Sequence, residues 1–258
     1  MKKTLASALL ILLTSATLVS AQDAKKLKIG VEGAYPPFSQ IGTDGKLKGF
    51  DIDIANALCE QMKAQCTMVQ QEFDGLIPSL QAKKIDAVIA SMSITEERKK
   101  VVEFSDKYYH TPARLLGKKS AGLTASVAGM KGKRIGVQRT TTHDRFATDT
   151  FKDSEIVRYA KQDDVFLDLA AGRLDAAVAD QPAASLGFLA LPAGRDFAFF
   201  GPVYFEAKYF GTGAGIGLRK TDTALRDEFN AAIKAIRANG VYKKINDKYF
   251  DFDIYGGK

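Results

Sequence analysis

Two acids and one arginine of this 258-residue chain stand where they could bind a small charged molecule. Glu32 and Asp180 each follow a short apolar stretch. Arg98 falls in the first turn of a predicted helix that Ser93 or Thr95 can cap. A positive charge opposes the helix dipole there, and a guanidinium beside exposed helix N–H groups can hold a carboxylate with two hydrogen bonds. These residue types predict a site for a molecule with positive and negative groups.

Each of these residues also has a plainer explanation. Glu32 on its own fits a solvent-exposed turn, and polar residues at strand ends can be ordinary turns. Arg98 can instead pair with its acidic neighbours, which are Glu96, Glu97 and Asp106. On the residues alone these alternatives stay open.

Two aromatic side chains stand beside the charged positions. Tyr35 lies in the turn after Glu32, where Pro36 and Pro37 stiffen the backbone and can fix its ring. Phe73 begins a predicted helix directly after a strand, a position that suits a ligand site and a core position equally. A carboxylate beside an aromatic face suits a cation carried on an aliphatic stem.

The second half of the chain supplies complementary groups. Residues 140–143 open a predicted helix and offer hydroxyl groups and backbone N–H donors to an anion. Asp180, at the end of an otherwise apolar strand, can accept an ammonium group. A carboxylate near Arg98 and a second acid at Glu32 would together bind a zwitterion that carries another positive charge.

A degenerate internal repeat indicates how these residues meet. Residues 27–32, LKIGVE, are echoed by 133–138, KRIGVQ, and residues 84–91, KIDAVIAS, by 173–180, RLDAAVAD. Helical patterns precede the later segments, which predicts βαβ units, parallel sheets and two α/β lobes. In open α/β sheets, ligands bind beyond the carboxyl ends of the strands. The residues expected to face one cleft by this rule are Glu32, Gln138, Ser91–Ser93 and Asp180.

The chain is expected to cross twice between the lobes. We predict lobe 1 from residues 22–109 and 207–258, lobe 2 from 114–203, and hinge crossings at 110–113 and 204–206. Paired crossings of this kind allow hinge closure around a ligand.

The last part of the chain is predicted to be helical and to pack back on lobe 1. The apolar positions that indicate this helix are Leu225, Phe229, Ile233 and Ile236, with a stop at Asn239-Gly240.

The first 21 residues have the composition of a signal peptide. Lys2 and Lys3 precede an apolar stretch that is shorter than the roughly 20 residues needed to span a bilayer, which disfavours a membrane anchor. The first cysteine is Cys59, so no lipid attachment to a new N-terminal cysteine is expected. We therefore expect a soluble periplasmic protein.

Composition argues against several classes of function. Cys59 and Cys66 form an isolated pair, which in an oxidising compartment favours a disulfide over a metal site, and with two histidines no Cys/His cluster can form. The basic residues behind the formal charge of +7 are scattered among acids, without a nucleic-acid motif. There is no P-loop and no G-x-S-x-G elbow, and nothing positions His110 or His143 for a Ser/His/Asp triad. We expect no metal, cofactor or nucleic acid, and no enzyme activity.

Seven ordered segments resemble one protein family over the whole predicted mature chain. They are Ala34–Phe38, Gly49–Ile54, Phe73–Ser79, Lys84–Ala87, Ser93–Arg98, Ala171–Ala176 and Lys248–Phe252. The chain resembles the periplasmic polar-amino-acid-binding proteins of ABC importers, solute-binding protein family 3, nearest to the lysine/arginine/ornithine and histidine binders. The resemblance implies the two-lobed type II periplasmic-binding-protein fold, an α/β fold with two hinge strands.

The resemblance also implies roles for the residues near the ligand's side chain. Tyr35 and Phe73 match the aromatic pair that encloses the aliphatic stem, and Glu32 occupies the acidic position that meets the distal cation. Cys59 and Cys66 match the disulfide of the family.

The remaining matches concern the amino-acid backbone of the ligand. Arg98 matches the arginine that binds the α-carboxylate, assisted by Ser93 and the backbone at Thr142. Ser91 and Asp180 match the groups that take the α-ammonium. The full set of residues expected to contact the ligand is Glu32, Tyr35, Phe73, Ala90, Ser91, Met92, Ser93, Arg98, Gln138, Thr141, Thr142, His143 and Asp180.

Departures from the family pattern bear on specificity. Glu32 is one methylene longer than the aspartate of the lysine-type binders, and Ala90 stands where those have serine. Gln138 and His143 also differ from the commonest pattern. A longer acid with a smaller neighbour favours arginine or ornithine over lysine or histidine, and an opine such as octopine is the alternative.

The expected function is capture of a cationic L-amino acid by a monomer and its delivery to the membrane permease of an ABC importer. A periplasmic dehydratase of prephenate-like substrates also resembles this family, so the fold does not exclude catalysis. The acids Glu32 and Asp180 argue against the aromatic dianion that such an enzyme would bind. A third possible function, in which the protein presents its ligand to a chemoreceptor, would use the same site.

Overall fold

Two five-stranded sheets organise the protein. A computed structural model describes residues 24–256, so the predicted signal peptide at 1–21 lies outside the described residues. Within residues 24–256, no helix combines the length and the apolar composition that crossing a bilayer requires.

The first part of the chain forms most of the first sheet and its helices. In chain order its elements are β1 (Lys26–Val31), β2 (Ala34–Tyr35), β3 (Ser39–Ile41), β4 (Leu47–Lys48), α1 (Phe50–Gln61), β5 (Gln65–Gln70), a 3₁₀ turn (Phe73–Gly75), α2 (Leu76–Gln81), β6 (Ala87–Val88), α3 (Glu96–Lys99) and β7 (Glu103–Tyr109).

The middle of the chain forms the second sheet, and the last part returns to the first. The middle elements are β8 (Ala113–Lys118), a 3₁₀ turn (Lys119–Ala121), α4 (Val127–Met130), β9 (Arg134–Gln138), α5 (Thr142–Thr150), β10 (Glu155–Tyr159), α6 (Gln162–Ala170), β11 (Ala176–Asp180), α7 (Gln181–Ala184), a π-helical turn (Ser185–Leu189), a 3₁₀ turn (Pro192–Gly194), β12 (Phe197–Tyr204) and α8 (Ala207–Phe210). The returning elements are β13 (Ala214–Leu218), α9 (Thr223–Ala238) and α10 (Val241–Tyr249).

The two sheets share one plan, as the internal repeat predicted. Their strand orders are β5-β1-β6-β13-β7 and β10-β9-β11-β8-β12. In each sheet the first three strands are parallel and the last two join antiparallel. The sheets are therefore mixed, not purely parallel, because the two strands of each sheet that lie next to the crossings between the lobes run antiparallel to their neighbours. The first pair of repeated segments forms β1 and β9, which are flanked on both sides by parallel neighbours, and the second pair forms β6 and β11 beside them.

Aromatic packing behind β1 supports the turn that carries Tyr35. The ring of Phe38 stacks on Tyr109 at 4.8 Å between centroids and lies 5.7 Å from Tyr35. Phe38 and its neighbour Phe50 are completely buried, and burying such a side chain contributes about 1.5–3 kcal/mol. The turn after β1 is thus anchored on the core of the first lobe.

Gly49 lets α1 begin close against that turn. Its φ of 133° lies in the region that favours glycine, and a Cβ there would come within 2.3 Å of the Phe38 carbonyl oxygen. The helix then extends to Gln61, and Cys59 near its end forms a disulfide with Cys66 of β5. The predicted disulfide is confirmed.

The C-terminal helices pack on the first lobe as predicted. The apolar positions of α9, which are Leu225, Phe229, Ile233 and Ile236, are buried and share a core with α1. The helix ends at Ala238, and Gly240 takes a left-handed conformation with φ 83° before α10 begins. The stop predicted at Asn239-Gly240 is confirmed.

The crossings between the sheets are short. The first runs from the end of β7 at Tyr109 to the start of β8 at Ala113. The returning part of lobe 1 was predicted to begin at residue 207. Helix α8 instead packs against α5 of the second lobe, with the ring of Phe210 5.2 Å from that of Phe146. The chain reaches the first sheet only after residues 211–213, because the aromatic face of α8 is buried in the second core.

Candidate functional site

A narrow cavity lies between the two lobes. Both sheets line it at the carboxyl ends of their parallel strands. The residues in its wall are Glu32, Tyr35, Phe73, Ala90, Ser91, Ser93, Arg98, Gln138, Thr141, Thr142, His143 and Asp180. The structure therefore brings together twelve of the thirteen residues nominated from the sequence.

Met92 is the exception. Its side chain is buried in the first lobe among Val88 and Phe104, and its carbonyl oxygen accepts a hydrogen bond from Gly215. Ser91 and Ser93 reach the cavity, whereas Met92 between them faces the core.

Glu32 is buried in the cavity wall without a cationic partner. Its side chain follows β1 and is 4% exposed. Its Oε1 accepts a hydrogen bond of 2.5 Å from Nε2 of Gln138, which also donates to the carbonyl of Ala160. No lysine, arginine or histidine of residues 24–256 lies within 4.0 Å of the carboxylate. Burial raises the pKa of Glu32 to about 8, because a buried carboxylate without a cation is destabilised.

Arg98 presents a guanidinium that no protein carboxylate neutralises within the described part of the chain. Thr95 is the cap of α3, since its hydroxyl accepts from the backbone N–H of Arg98, and so the structure uses Thr95 and not Ser93. The guanidinium donates to the carbonyls of Ser93 and Thr140 and lies 5.3 Å from the centre of the Phe73 ring. Burial lowers the pKa of Arg98 to about 10.

The alternative pairing of Arg98 with its acidic neighbours is wrong. Glu96 pairs with Lys99 and Glu97 with Lys100, both at the exposed surface. The side chain of Arg98 turns inward instead, so its charge faces the cavity.

Asp180 ends β11 and faces Tyr35 across the cleft. Its Oδ2 accepts a hydrogen bond of 2.8 Å from the Tyr35 hydroxyl, and its Oδ1 lies 3.6 Å from Nε2 of His143. That nitrogen is buried and makes no hydrogen bond within the protein. The carboxylate therefore fixes the Tyr35 ring and keeps acceptor capacity for a donor in the cavity.

The N-terminus of α5 forms the wall next to Arg98. Thr141 caps the helix by accepting from the N–H of Asp144 and donates its own hydroxyl hydrogen to the carbonyl of Gln138. Thr142 is the first residue of the helix. Helix N-termini offer backbone N–H groups to anions, so a carboxylate held by Arg98 would find donors on both lobes.

Comparison with known proteins agrees with this architecture. Residues 27–252 match the model of the bacterial extracellular solute-binding proteins, family 3. The chain belongs to this family. It is 55% identical over 234 residues to the L-arginine-binding protein of Pseudomonas aeruginosa, covering 90% of each chain. It is 46% identical over 258 residues to the histidine-binding periplasmic protein of Salmonella typhimurium, covering 99% of each.

A solved structure gives the same result for the fold of this solute-binding protein. A Salmonella typhimurium periplasmic binding protein, described for the structural basis of its high arginine specificity, superposes with a TM-score of 0.82 and 37% identity. The match covers 88% of this chain and 100% of the other. The predicted family and the two-lobed α/β fold are confirmed.

The lobes of this family 3 protein are closed on each other. Three hydrogen bonds across the cleft join site residues, namely Gln138–Glu32, Tyr35–Asp180 and Arg98–Thr140. A fourth connection was not predicted from the sequence: Arg139 pairs with Glu72 at 2.9 Å and with Asp74 at 2.6 Å. These residues also follow strands β9 and β5, so the strand-end rule could have nominated them.

Proposed function

We propose that this protein captures a cationic L-amino acid in the periplasm, with arginine favoured, and delivers it to the permease of an ABC importer. The observation that carries the proposal is the charge of the cavity. Glu32 and Asp180 accept positive charge, whereas Arg98 is the cation that faces them from the wall of the same cavity. A cationic amino acid has the complementary set of two positive groups and one negative group.

The α-carboxylate of the ligand is assigned to Arg98. The guanidinium has spare donors, and the backbone at the start of α5, beginning at Thr142, faces the same space. Arginine holds carboxylates with paired hydrogen bonds, and a helix N-terminus adds favourable electrostatics. The α-ammonium is assigned to Asp180 and Ser91.

The aliphatic stem of the ligand is assigned to the space between Tyr35 and Phe73. Both rings are largely buried and line the cavity. Tyr35 is fixed by its bond to Asp180, and Phe73 by its contact with the Arg98 guanidinium. An aromatic wall of this kind binds methylene groups and also stabilises a nearby cation.

The distal cation is assigned to Glu32, which favours arginine. The longer glutamate and the amide of Gln138 lie together, and both can face the planar donors of a guanidinium. An uncharged side chain would leave Glu32 protonated and could not form the charge pair, so selectivity follows from the charged hydrogen bond that only a cationic side chain makes with this group. The name of the 55% identical Pseudomonas aeruginosa protein, L-arginine-binding protein, supports the same choice.

Two observations support delivery to an importer: the two lobes are closed on each other, and the chain belongs to solute-binding protein family 3. The ligand would touch both lobes, so the closed state gains contacts that the open state lacks. Relatives named periplasmic binding proteins support a periplasmic location. The transport role predicts that a permease recognises the closed, loaded form.

Binding without catalysis is the role we assign to the cavity. A buried carboxyl group with a raised pKa, such as Glu32, is a feature that a dehydratase would share. A prephenate-like dianion, however, would place two negative charges in a cavity with two acids and a single guanidinium. We expect no turnover of prephenate by the purified protein.

The test is a calorimetric titration of the ligand-free protein with arginine, ornithine, lysine, histidine, octopine and glutamine. We expect the cationic amino acids to bind and glutamine to bind about tenfold to a hundredfold more weakly than arginine, the range expected for loss of a charged hydrogen bond. Tightest binding of glutamine would contradict the cationic assignment, and tightest binding of octopine would favour the opine alternative.

A further inference from the structure

A second buried carboxylate lies directly behind the cavity wall. Asp51, in the first turn of α1, is completely buried and does not line the cavity. Its two oxygens accept hydrogen bonds from the Ser91 hydroxyl at 2.8 Å and the Tyr108 hydroxyl at 2.9 Å. Within residues 24–256, no cationic side chain lies within 4.0 Å of it.

Ser91 is held by this network in an unusual backbone conformation. Its φ of 54° lies in the left-handed region, which is unfavourable for a residue other than glycine. Its N–H donates to the Tyr108 hydroxyl at 3.1 Å, and that hydroxyl in turn donates to Asp51. The hydroxyl and the N–H of Ser91 are therefore anchored, directly or through Tyr108, on the same carboxylate.

This anchoring decides what Ser91 can offer to a ligand. A hydroxyl group has one hydrogen to donate and two lone pairs to accept. Because the hydrogen of Ser91 is directed to Asp51, its oxygen presents only acceptor capacity to the cavity that Ser91 lines. A positively charged N–H donor fits that position, and a carboxylate does not.

We propose that Asp51 is a positioning residue of the α-ammonium site, acting through Ser91 and compensating the ammonium charge from behind the wall. The inference rests on the proposed function, because it requires an amino-acid ligand. It explains why a carboxylate is buried here without a cation: the ligand supplies the missing positive charge. Burial accordingly raises the pKa of Asp51 to about 7 in the ligand-free cavity, despite the two hydroxyl donors.

A purely structural role for Asp51 is the competing explanation. The carboxylate ties α1 to the segment around Ser91 and to β7, and a variant could lose affinity because the wall distorts. The two roles differ in their dependence on the ligand, since distortion weakens every ligand, whereas loss of the ammonium site affects only ligands that carry an α-amino group.

The experiment compares L-arginine with 5-guanidinopentanoic acid, which is arginine without its α-amino group. Calorimetric affinities are measured for the native protein and for Asp51→Asn, which keeps the shape of the side chain but removes its charge. We expect Asp51→Asn to weaken arginine tenfold or more and to change the affinity of the deaminated analogue less than threefold. Equal losses for both ligands, or no loss for either, would overturn the inference.

The matched control is Asp53→Asn, two residues later in the same helical turn. Asp53 pairs with Lys248 and Tyr249 on the outer side of the lobe and does not line the cavity. Both affinities should stay within twofold of native. Failure of the native protein to bind arginine would contradict the proposed function itself, a result distinct from an equal loss in Asp51→Asn.

Tyr108→Phe provides a second variant if Asp51→Asn does not fold. It removes one hydrogen bond to Asp51 and the acceptor of the Ser91 N–H, and it keeps the ring that packs against Phe50. We expect a severalfold loss that is again confined to arginine. A matching loss for the deaminated analogue would count against the inference.

Discussion

The two lobes share one sheet plan but carry different chemistry at equivalent strand ends. After the first parallel strand, lobe 1 has Glu32 where lobe 2 has Gln138, and the two side chains are hydrogen-bonded to each other. After the equivalent strands β6 and β11, lobe 1 continues to Ser91 and lobe 2 ends in Asp180. One scaffold used twice thus builds a site whose two faces are complementary.

The two lobes also contribute different types of side chain to the site. Lobe 1 supplies both aromatic walls and the guanidinium, which are Tyr35, Phe73 and Arg98, whereas lobe 2 supplies mainly hydrogen-bonding groups and Asp180. We infer that lobe 1 provides most of the initial binding and that lobe 2 closes over the ligand. Substitutions in the two lobes should therefore differ in size and in ligand dependence.

The largest effect is expected from Arg98→Ala in lobe 1. Removing one partner of a buried charge pair costs about 2–5 kcal/mol, so calorimetry should detect no binding of any α-amino acid at micromolar protein. Lys99→Ala is the control, because Lys99 lies on the same helix and pairs with Glu96 at the surface. Retained affinity in Arg98→Ala would show that the carboxylate binds elsewhere.

Glu32→Gln should follow in size and should be selective. We expect a loss of about 1.5–3 kcal/mol for arginine, because a charged hydrogen bond is lost, and little change for glutamine. Glu60→Gln, on the exposed side of α1, serves as the control. A similar loss for both ligands would remove Glu32 from the position of the distal cation.

The role of Glu32 can also be tested through the pH dependence of arginine affinity and of stability. Its pKa of about 8 in the empty cavity means that binding a guanidinium releases a proton at neutral pH, so Glu32 by itself should raise the arginine affinity from pH 6 to pH 8 by up to tenfold per pH unit. Because the folded pKa lies above the ordinary value of 4.5, ionisation destabilises the ligand-free fold progressively as the pH rises from about 4.5 to 8.

Calorimetry in two buffers of different ionisation enthalpy measures the proton release, and thermal melting measures the stability. In Glu32→Gln the contribution of this group to both should vanish, and the ligand-free protein should melt at a higher temperature than native at pH 8. Unchanged proton release in this variant would assign the raised pKa to another group.

The smallest effect is expected from Arg139→Ala, which removes the ion cluster across the cleft. Its pairs with Glu72 and Asp74 are partly exposed, and such pairs contribute about 0–1 kcal/mol each. We expect a loss of a few-fold for every ligand, seen as faster dissociation in stopped-flow measurements. Arg158→Ala, which breaks a pair with Asp144 inside lobe 2, should leave dissociation unchanged.

Much of this site could be predicted from the amino-acid sequence alone. The periodicity of short apolar segments predicted strands β1, β9 and β11, and the strand-end rule then nominated Glu32, Gln138 and Asp180 for one cleft. Such inferences succeed because strand and helix patterns are local. The order of the motifs was sufficient to recognise the family before any contact was known.

Other features depended on contacts between distant segments. The strand-end rule placed Ser91–Ser93 together in the cleft, whereas packing against Val88 and Phe104 buries Met92 in the core. Asp51 is 40 residues from the serine that it anchors, and its significance appears only when α1 packs beside that serine. The packing of Phe210 on the second lobe depends in the same way on a partner far away in the chain.

There is a physical reason why some features could be predicted from the sequence and others depended on the tertiary structure. Residue types and their spacing specify which groups are available and at which strand ends they stand, because backbone geometry repeats every two or 3.6 residues. Burial, pairing and the direction in which a charge points arise only when two lobes close and exclude water. The amino-acid sequence therefore determines which polar groups stand at the strand ends, and the tertiary structure determines which of them remain unpaired and face the cavity.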